Sequence, residues 1–375
     1  MRVLFLVLGL IATISSATAA NVSRRPQAIL NAAPLCGAAN AAPTAIDWDA
    51  KDREPRSCDP ATARDYVPKF KGLGFEILTF ESEACFVPDQ SFRLLDDIVG
   101  TVVSRVAAAP PSDPAEKAML VSTITSSVLT EFGFALWIPT RNLSDALISR
   151  RTDSDRYRYL FDCDTGSMIL LTVAQALGMD ATLVESTIPS NTDPRKRVQH
   201  NFVRWTLADR SEVNWDMNMR TMCSTPTLNQ LPYQGKPLTM DQLWSYEKQL
   251  RGSLWERTRH YSESTKDFRQ AAAQFPERDV PYNNFAWTVA TKTFPERASF
   301  VKDALEFALK AVAISGDANN LDTLACVYAH TGDFQKAIAT EKRAVDAAPQ
   351  KSLPDFRRRL QGFSTVPPQD CTGED

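Results

Sequence analysis

The sequence predicts an α+β domain, a central buried helix packed on an antiparallel sheet, followed by an all-α domain of repeated helical hairpins. Three observations carry this expectation. Residues Met168 to Leu177 are apolar nearly all round and stop at Gly178, the pattern of a helix enclosed in a core. Two alternating runs, 201–207 and 212–216, flank the turn-rich Ala208-Asp209-Arg210-Ser211, the pattern of a hairpin. The last third repeats its small and large apolar residues with a period of about 34 residues.

The chain has 375 residues, of which 43% are hydrophobic, enough for two to three domains with real cores. Its net charge of -3 gives no basic footprint, so no nucleic-acid partner is expected. Arg2, the apolar run Val3 to Ile14 and the small residues Ala17-Thr18-Ala19 read as a cleavable signal peptide over 1–20, cut near Ala19 or Ala20. No run is long enough to span a bilayer. The mature protein is therefore expected in a periplasm or outside the cell. Residues 21–90 follow as an extended segment, richest in Ala and Pro up to Pro60. Phe92, Leu95, Ile98, Val99, Val102 and Val106 have helical spacing, as do Met119, Val121, Ile124, Val128 and Phe132, and Pro110-Pro111 separates the two helices.

An oxidising destination changes the meaning of the 7 cysteines. Their odd number leaves at least one thiol free, and Cys163 is the natural choice. Cys326 lies in a helical pattern and reads as a small buried hydrophobe. Cys36 and Cys58 make a candidate local bridge. With only 3 histidines and no zinc-like spacing, neither a metal nor a cofactor is expected.

Cys163 opens the apolar helix, His200 begins one alternating run and Asp216 ends the next. A thiol attacks as thiolate, which a helix N-terminus and a neighbouring imidazole favour; the imidazole in turn needs a carboxylate to fix its tautomer. Hairpin register would put His200, Phe202 and Arg204 on one face and Asn214 and Asp216 on one face of the partner strand. Asp162 and Asp164 oppose the helix dipole, because negative charge beside a thiol raises its pKa. An activated Cys163 is expected to alkylate well below the pH of an ordinary cysteine and to lose that shift in His200→Ala.

These residues resemble the transglutaminase-like superfamily of papain-type folds, in particular its bacterial branch. The likeness runs from Phe92 to Met219 and is strongest in Phe161-Asp162-Cys163, Gln199 to Trp205 and Asn214-Trp215-Asp216. It implies a domain over 91–235 with Cys163 as nucleophile, His200 as base and Asp216 as the group that orients it. It further implies a thioester formed from an amide of a peptide or a glutamine side chain, with hydrolysis favoured over cross-linking. The Trp-adjacent arrangement of better-known members is missing before Cys163. The amide of Cys163 is the first oxyanion donor, and Trp137 and Asn142 are upstream candidates. Arg204 reads as a solvated strand residue or a substrate-carboxylate contact, and Trp205 as core or cleft lining.

Residues 240–351 resemble about three tetratricopeptide repeats. The best copy carries Leu321, Leu324, Ala325, Tyr328, Ala337, Ala344 and Pro349, and Gly252, Trp255, Phe268, Ala271 and Pro276 keep the same spacing in an earlier one. Such repeats present concave surfaces, so a protein partner is expected there. A tail over 352–375 completes the chain, loose or pinned through Cys371. Two functions follow: an exported thiol enzyme acting on a peptide or protein, or a catalytically inactive scaffold that binds through the repeat groove.

Overall fold

The computed structural model describes residues 65–108, 113–136, 142–148, 158–189, 197–217, 234–350 and 352–372. The expected signal peptide, the Cys36 and Cys58 bridge and Trp137 lie outside these residues. The chain is mixed α and β, with helices predominating. Among the described residues no helix is long and apolar enough to cross a membrane.

Helices α1 (Leu73–Glu81), α2 (Asp89–Ala108) and α3 (Pro114–Glu131) come first. Strand β1 (Phe134–Leu136) pairs in parallel with β2 (Tyr159–Phe161), and the short α4 (Leu143–Ala146) lies between them in sequence. Helix α5 (Cys163–Ala176) follows, then β3 (Ala181–Pro189), β4 (Arg197–Thr206), β5 (Glu212–Trp215) and β6 (Gly235–Pro237). These four strands form an antiparallel sheet in the order β5-β4-β3-β6.

Helix α5 is the centre of this part, with every residue from Thr165 to Ala174 buried. The Asp162 carboxylate caps its start, accepting from the N–H groups of Asp164 and Thr165 at 3.1 and 3.0 Å, while the Thr165 hydroxyl accepts from the Asp162 N–H at 3.0 Å. Such a cap contributes about 1 kcal/mol. Gly178 ends the helix with φ 62°, and the N–H of Met179 reaches back to the carbonyl of Ala174 at 2.9 Å, closing an αL cap that favours glycine. One face of α5 meets Leu183, Val203, Trp205 and Trp215 of the sheet, and α1, α2 and α3 enclose the rest.

The stretch 73–81, expected to be extended, is helical. Its apolar residues Leu73, Phe75, Ile77 and Leu78 are buried against α5. The helices approach closely at Gly74, whose N–H donates to the Thr172 hydroxyl at 2.8 Å; a Cβ there would come within 2.5 Å of that oxygen.

Antiparallel helix pairs make up the second part: α6 (Met240–Arg257) with α7 (Tyr261–Gln274), α8 (Asp279–Thr291) with α9 (Arg297–Ile314), and α10 (Ala318–His330) with α11 (Phe334–Ala347). Ala271, Ala304, Ala308, Ala325, Ala337 and Ala344 are sealed between helices, and Phe268 and Phe285 fill the space that these small residues leave. Gly252 on α6 faces the Phe268 ring, which a Cβ would approach to 2.6 Å. Gly252→Val is therefore expected to destabilise by about 1–3 kcal/mol through overpacking. Denaturant midpoints check this, because Gly252→Ala should lose less than Gly252→Val.

The two parts share a core, in which Leu243, Tyr246 and Phe275 join the cluster that holds α5 and the sheet. Arg251 on α6 makes a two-pronged pair with Asp267 at 2.7 and 2.8 Å, pairs with Glu83 and lies 3.5 Å from the Phe80 ring centroid. Arg257 reaches Asn142 at 2.8 Å and Asp145 at 3.0 Å.

The segment expected as a tail from residue 352 begins with helix α12 (Leu353–Phe363), which buries Phe356, Arg359 and Phe363. Cys326, expected as a free buried hydrophobe, forms a disulfide with Cys371 across 45 residues. A helical apolar pattern does not distinguish a packed thiol from half of a cystine, because both are small and buried. Cys85 is also disulfide-bonded.

Candidate active site

Cys163 is the first residue of α5, in a turn whose next N–H groups, those of Asp164 and Thr165, are already held by the Asp162 carboxylate. It is half-buried and is the free cysteine among the described residues. His200 and Asp216 come from the hairpin of β4 and β5. Val203 pairs with Trp215 and Arg204 with Asn214, so His200 and Asp216 stand diagonally on one face, the face expected from alternation. His200 Nε2 lies 2.8 Å from Asp216 Oδ2, and the two residues are 6% and 4% exposed. A carboxylate at that distance accepts a hydrogen bond from Nε2–H, which keeps the ring proton on Nε2 and leaves Nδ1 as the basic nitrogen.

The thiol meets the sheet one residue further along. Helix α5 covers the face bearing Asn201, Val203 and Trp205, whereas His200 belongs to the other face. The ladder between β4 and β5 ends at Val203 and Trp215, and beyond it the Asn201 side chain donates to the same Asp164 oxygen that accepts from the Cys163 thiol.

The electrostatics of the thiol run against the expectation of easy ionisation. Burial, then the charges of Asp164 and Asp162, push the Cys163 pKa up, and the Asn201 N–H only partly offsets them. A helix N-terminus contributes about 0.3–1 kcal/mol toward the thiolate, less than one pKa unit, whereas burial alone can shift a group by several units. The thiol consequently rests protonated, and its S–H donates to Asp164 Oδ1 at 3.3 Å.

Asp164 has a larger part than its position in the sequence suggested. Its Oδ1 also accepts from Asn201 Nδ2 at 2.6 Å, and its Oδ2 accepts from the Tyr246 hydroxyl on α6. Nothing local signalled that last contact, since Tyr246 is 82 residues away.

Glu247, beside Tyr246, is 2% exposed and has no hydrogen-bond partner on either oxygen. Burial, with Glu81 and Asp164 adding to it, holds its carboxyl well above the usual carboxylate range, although Arg278 works the other way. The folded protein thus keeps a proton that the unfolded chain releases above about pH 4.3, and stability falls as pH rises through that window. Glu247→Gln is expected to match the parent protein near pH 4 and to exceed it in stability at pH 8. Denaturation midpoints at the two pH values test this.

The remaining candidate residues are engaged elsewhere. Trp205 is fully buried and donates its indole N–H to the Ser122 hydroxyl at 2.9 Å, so its side chain packs the core. Arg204 Nε donates to Asn214 at 2.9 Å and lies 3.2 Å from Glu212, both across the strand pair. Asn142 is buried at the N-cap position of α4, where its side chain makes no capping bond; its Oδ1 accepts from Arg257, while its Nδ2 is sealed and unpartnered. Among the described residues, no group of three or more His, Cys, Asp or Glu has a metal-holding arrangement.

A second concave feature lies on the helical part, a groove of about 630 Å³ lined by Asn283, Asn284, Trp287 and Asn319 and walled by Asp355 and Arg358. No known family model matches the chain, and no curated protein sequence matches it.

Proposed function

We propose that this protein is an exported thiol enzyme of transglutaminase-like type, joined to tetratricopeptide repeats, that acts on amide bonds of peptides or glutamine side chains. The observation that carries the reading is the buried pair of His200 and Asp216, 2.8 Å apart, next to Asn201, which shares the Asp164 carboxylate with the Cys163 thiol. The Cys326 and Cys371 disulfide supports an oxidising destination.

A thiol that rests protonated attacks with general-base help. For this step the imidazole, which stands on the face of β4 opposite α5, has to reach the sulfur around the strand edge beyond β5; His200 Nδ1 then takes the S–H proton as the sulfur bonds to the amide carbon, and Asp216 stabilises the imidazolium. The amide N–H of Cys163, with no partner inside the helix, is a donor for the developing oxyanion. The imidazolium then protonates the leaving amine, and the C–N bond breaks to leave a thioester. Water attacks that thioester, His200 accepting its proton, to release an acid and the thiol.

Hydrolysis of p-nitrophenyl acetate tests the reading without a known substrate. A burst of nitrophenolate that is absent in Cys163→Ala and slowed by on the order of 10²–10⁴-fold in His200→Ala is expected. Equal rates in all three proteins would exclude it. The second reading, a binding scaffold, is favoured by the high thiol pKa and by the asparagine-lined groove. It predicts no burst in the unmodified protein.

A further inference from the structure

We infer that Tyr246 is a positioning residue for Cys163: through Asp164, the first helix of the repeat part controls the ionisation of a thiol carried by the other part. This inference rests on Cys163 being the reactive group, as proposed above.

Asp164 is the point where the two parts meet. One of its oxygens accepts from the Cys163 thiol at 3.3 Å and from Asn201 Nδ2 at 2.6 Å, and the other accepts from the Tyr246 hydroxyl. The Tyr246 ring is held in its turn, with the Arg278 guanidinium 4.3 Å from its centroid. Arg278 precedes α8 and lies 3.5 Å from Glu185, which pairs across the sheet with Asn201. The contacts therefore close a ring from α5 through α6 and the start of α8 back to the sheet.

The charged and titratable groups around the thiol are Asp162 and Asp164 on its own segment, His200 and Asp216 from the hairpin, and Glu185 on β3. Helix α6 adds Tyr246 and Glu247, with Glu81 from α1 and Arg278 from the start of α8. Among them Asp164 alone both touches the sulfur and is fixed from the repeat part. Two effects of opposite sign follow. The Asp164 charge disfavours the thiolate, whereas the Tyr246 hydroxyl dipole, aimed at the carboxylate, relieves part of that repulsion.

The experiment is the pH profile of Cys163 alkylation by iodoacetamide in the full chain, read by mass spectrometry of the Cys163 peptide. Asp164→Asn is expected to lower the midpoint by roughly one unit, making alkylation about tenfold faster at pH 8. Tyr246→Phe, which keeps the ring and its packing, is expected to raise the midpoint by about half a unit. In the Asp164→Asn background, Tyr246→Phe should move it no further. The inference is overturned if Asp164→Asn leaves the midpoint in place, or if Tyr246→Phe has no effect or the same effect in both backgrounds. Alkylation needs no turnover, so these outcomes are distinguishable from a missing p-nitrophenyl acetate burst, which would count against the enzyme reading alone.

Discussion

Asp216→Asn is expected to lower the rate of nitrophenolate release by on the order of 10³–10⁴-fold while far-ultraviolet circular dichroism stays unchanged. The reason is the tautomer. With a carboxylate 2.8 Å from Nε2, the imidazole carries its proton on that nitrogen and presents Nδ1 as a base. An asparagine amide donates to Nε2 instead, so the proton moves to Nδ1 and the ring can no longer accept from the thiol. Because Cys163 rests protonated, there is no standing thiolate to keep the reaction going once the base is lost. Asp216→Ala should in addition cost about 1–3 kcal/mol, since it leaves a buried imidazole N–H without its acceptor. An asparagine variant as fast as the parent protein would show that His200 does not act as base.

Three features were legible because they are local. All-round apolarity and Gly178 marked α5, period-two alternation marked β4 and β5, and alternation with a short turn sufficed to bring His200 and Asp216 onto one face. Asp162 and Asp164 were legible as charges beside a thiol, and their effect on it follows that expectation. What could not be read depends on contacts distant in sequence. The Tyr246 contact to Asp164 requires that α6 dock on α5, which no periodicity encodes. Trp205 and Arg204 have types common at substrate clefts, but strand pairing and the approach of α3 commit them to Ser122, Asn214 and Glu212. Helix α12 escaped notice because Arg357-Arg358-Arg359 breaks its apolar face, although the buried pair Phe356 and Phe363 is seven residues apart, two helical turns.

Removing the Cys326 to Cys371 bond is expected to be the most destabilising change in the helical part. Cross-linking across 45 residues restricts the unfolded chain by about 4 kcal/mol in the loop-entropy account, and losses of 2–4 kcal/mol are typical. The other ties on the final segment are weaker. Arg297 donates to the Thr372 hydroxyl at 3.0 Å and His330 lies 3.4 Å from Asp370, exposed polar contacts worth about 0–1 kcal/mol each. Cys371→Ser, compared by denaturant unfolding, is preferable to reduction, which would also open the Cys85 bridge. The effect should extend beyond stability. Arg359 on α12 donates to Asp322 on α10 at 2.6 Å, and the same helix supplies Asp355 and Phe356 to the groove. With the staple gone, α12 stays packed through Phe356 and Phe363 but the segment after it keeps only polar ties, and limited proteolysis should cut between Phe363 and Thr372 much faster than in the parent protein. An unchanged unfolding midpoint together with unchanged proteolysis would show that noncovalent packing alone closes this end of the stack.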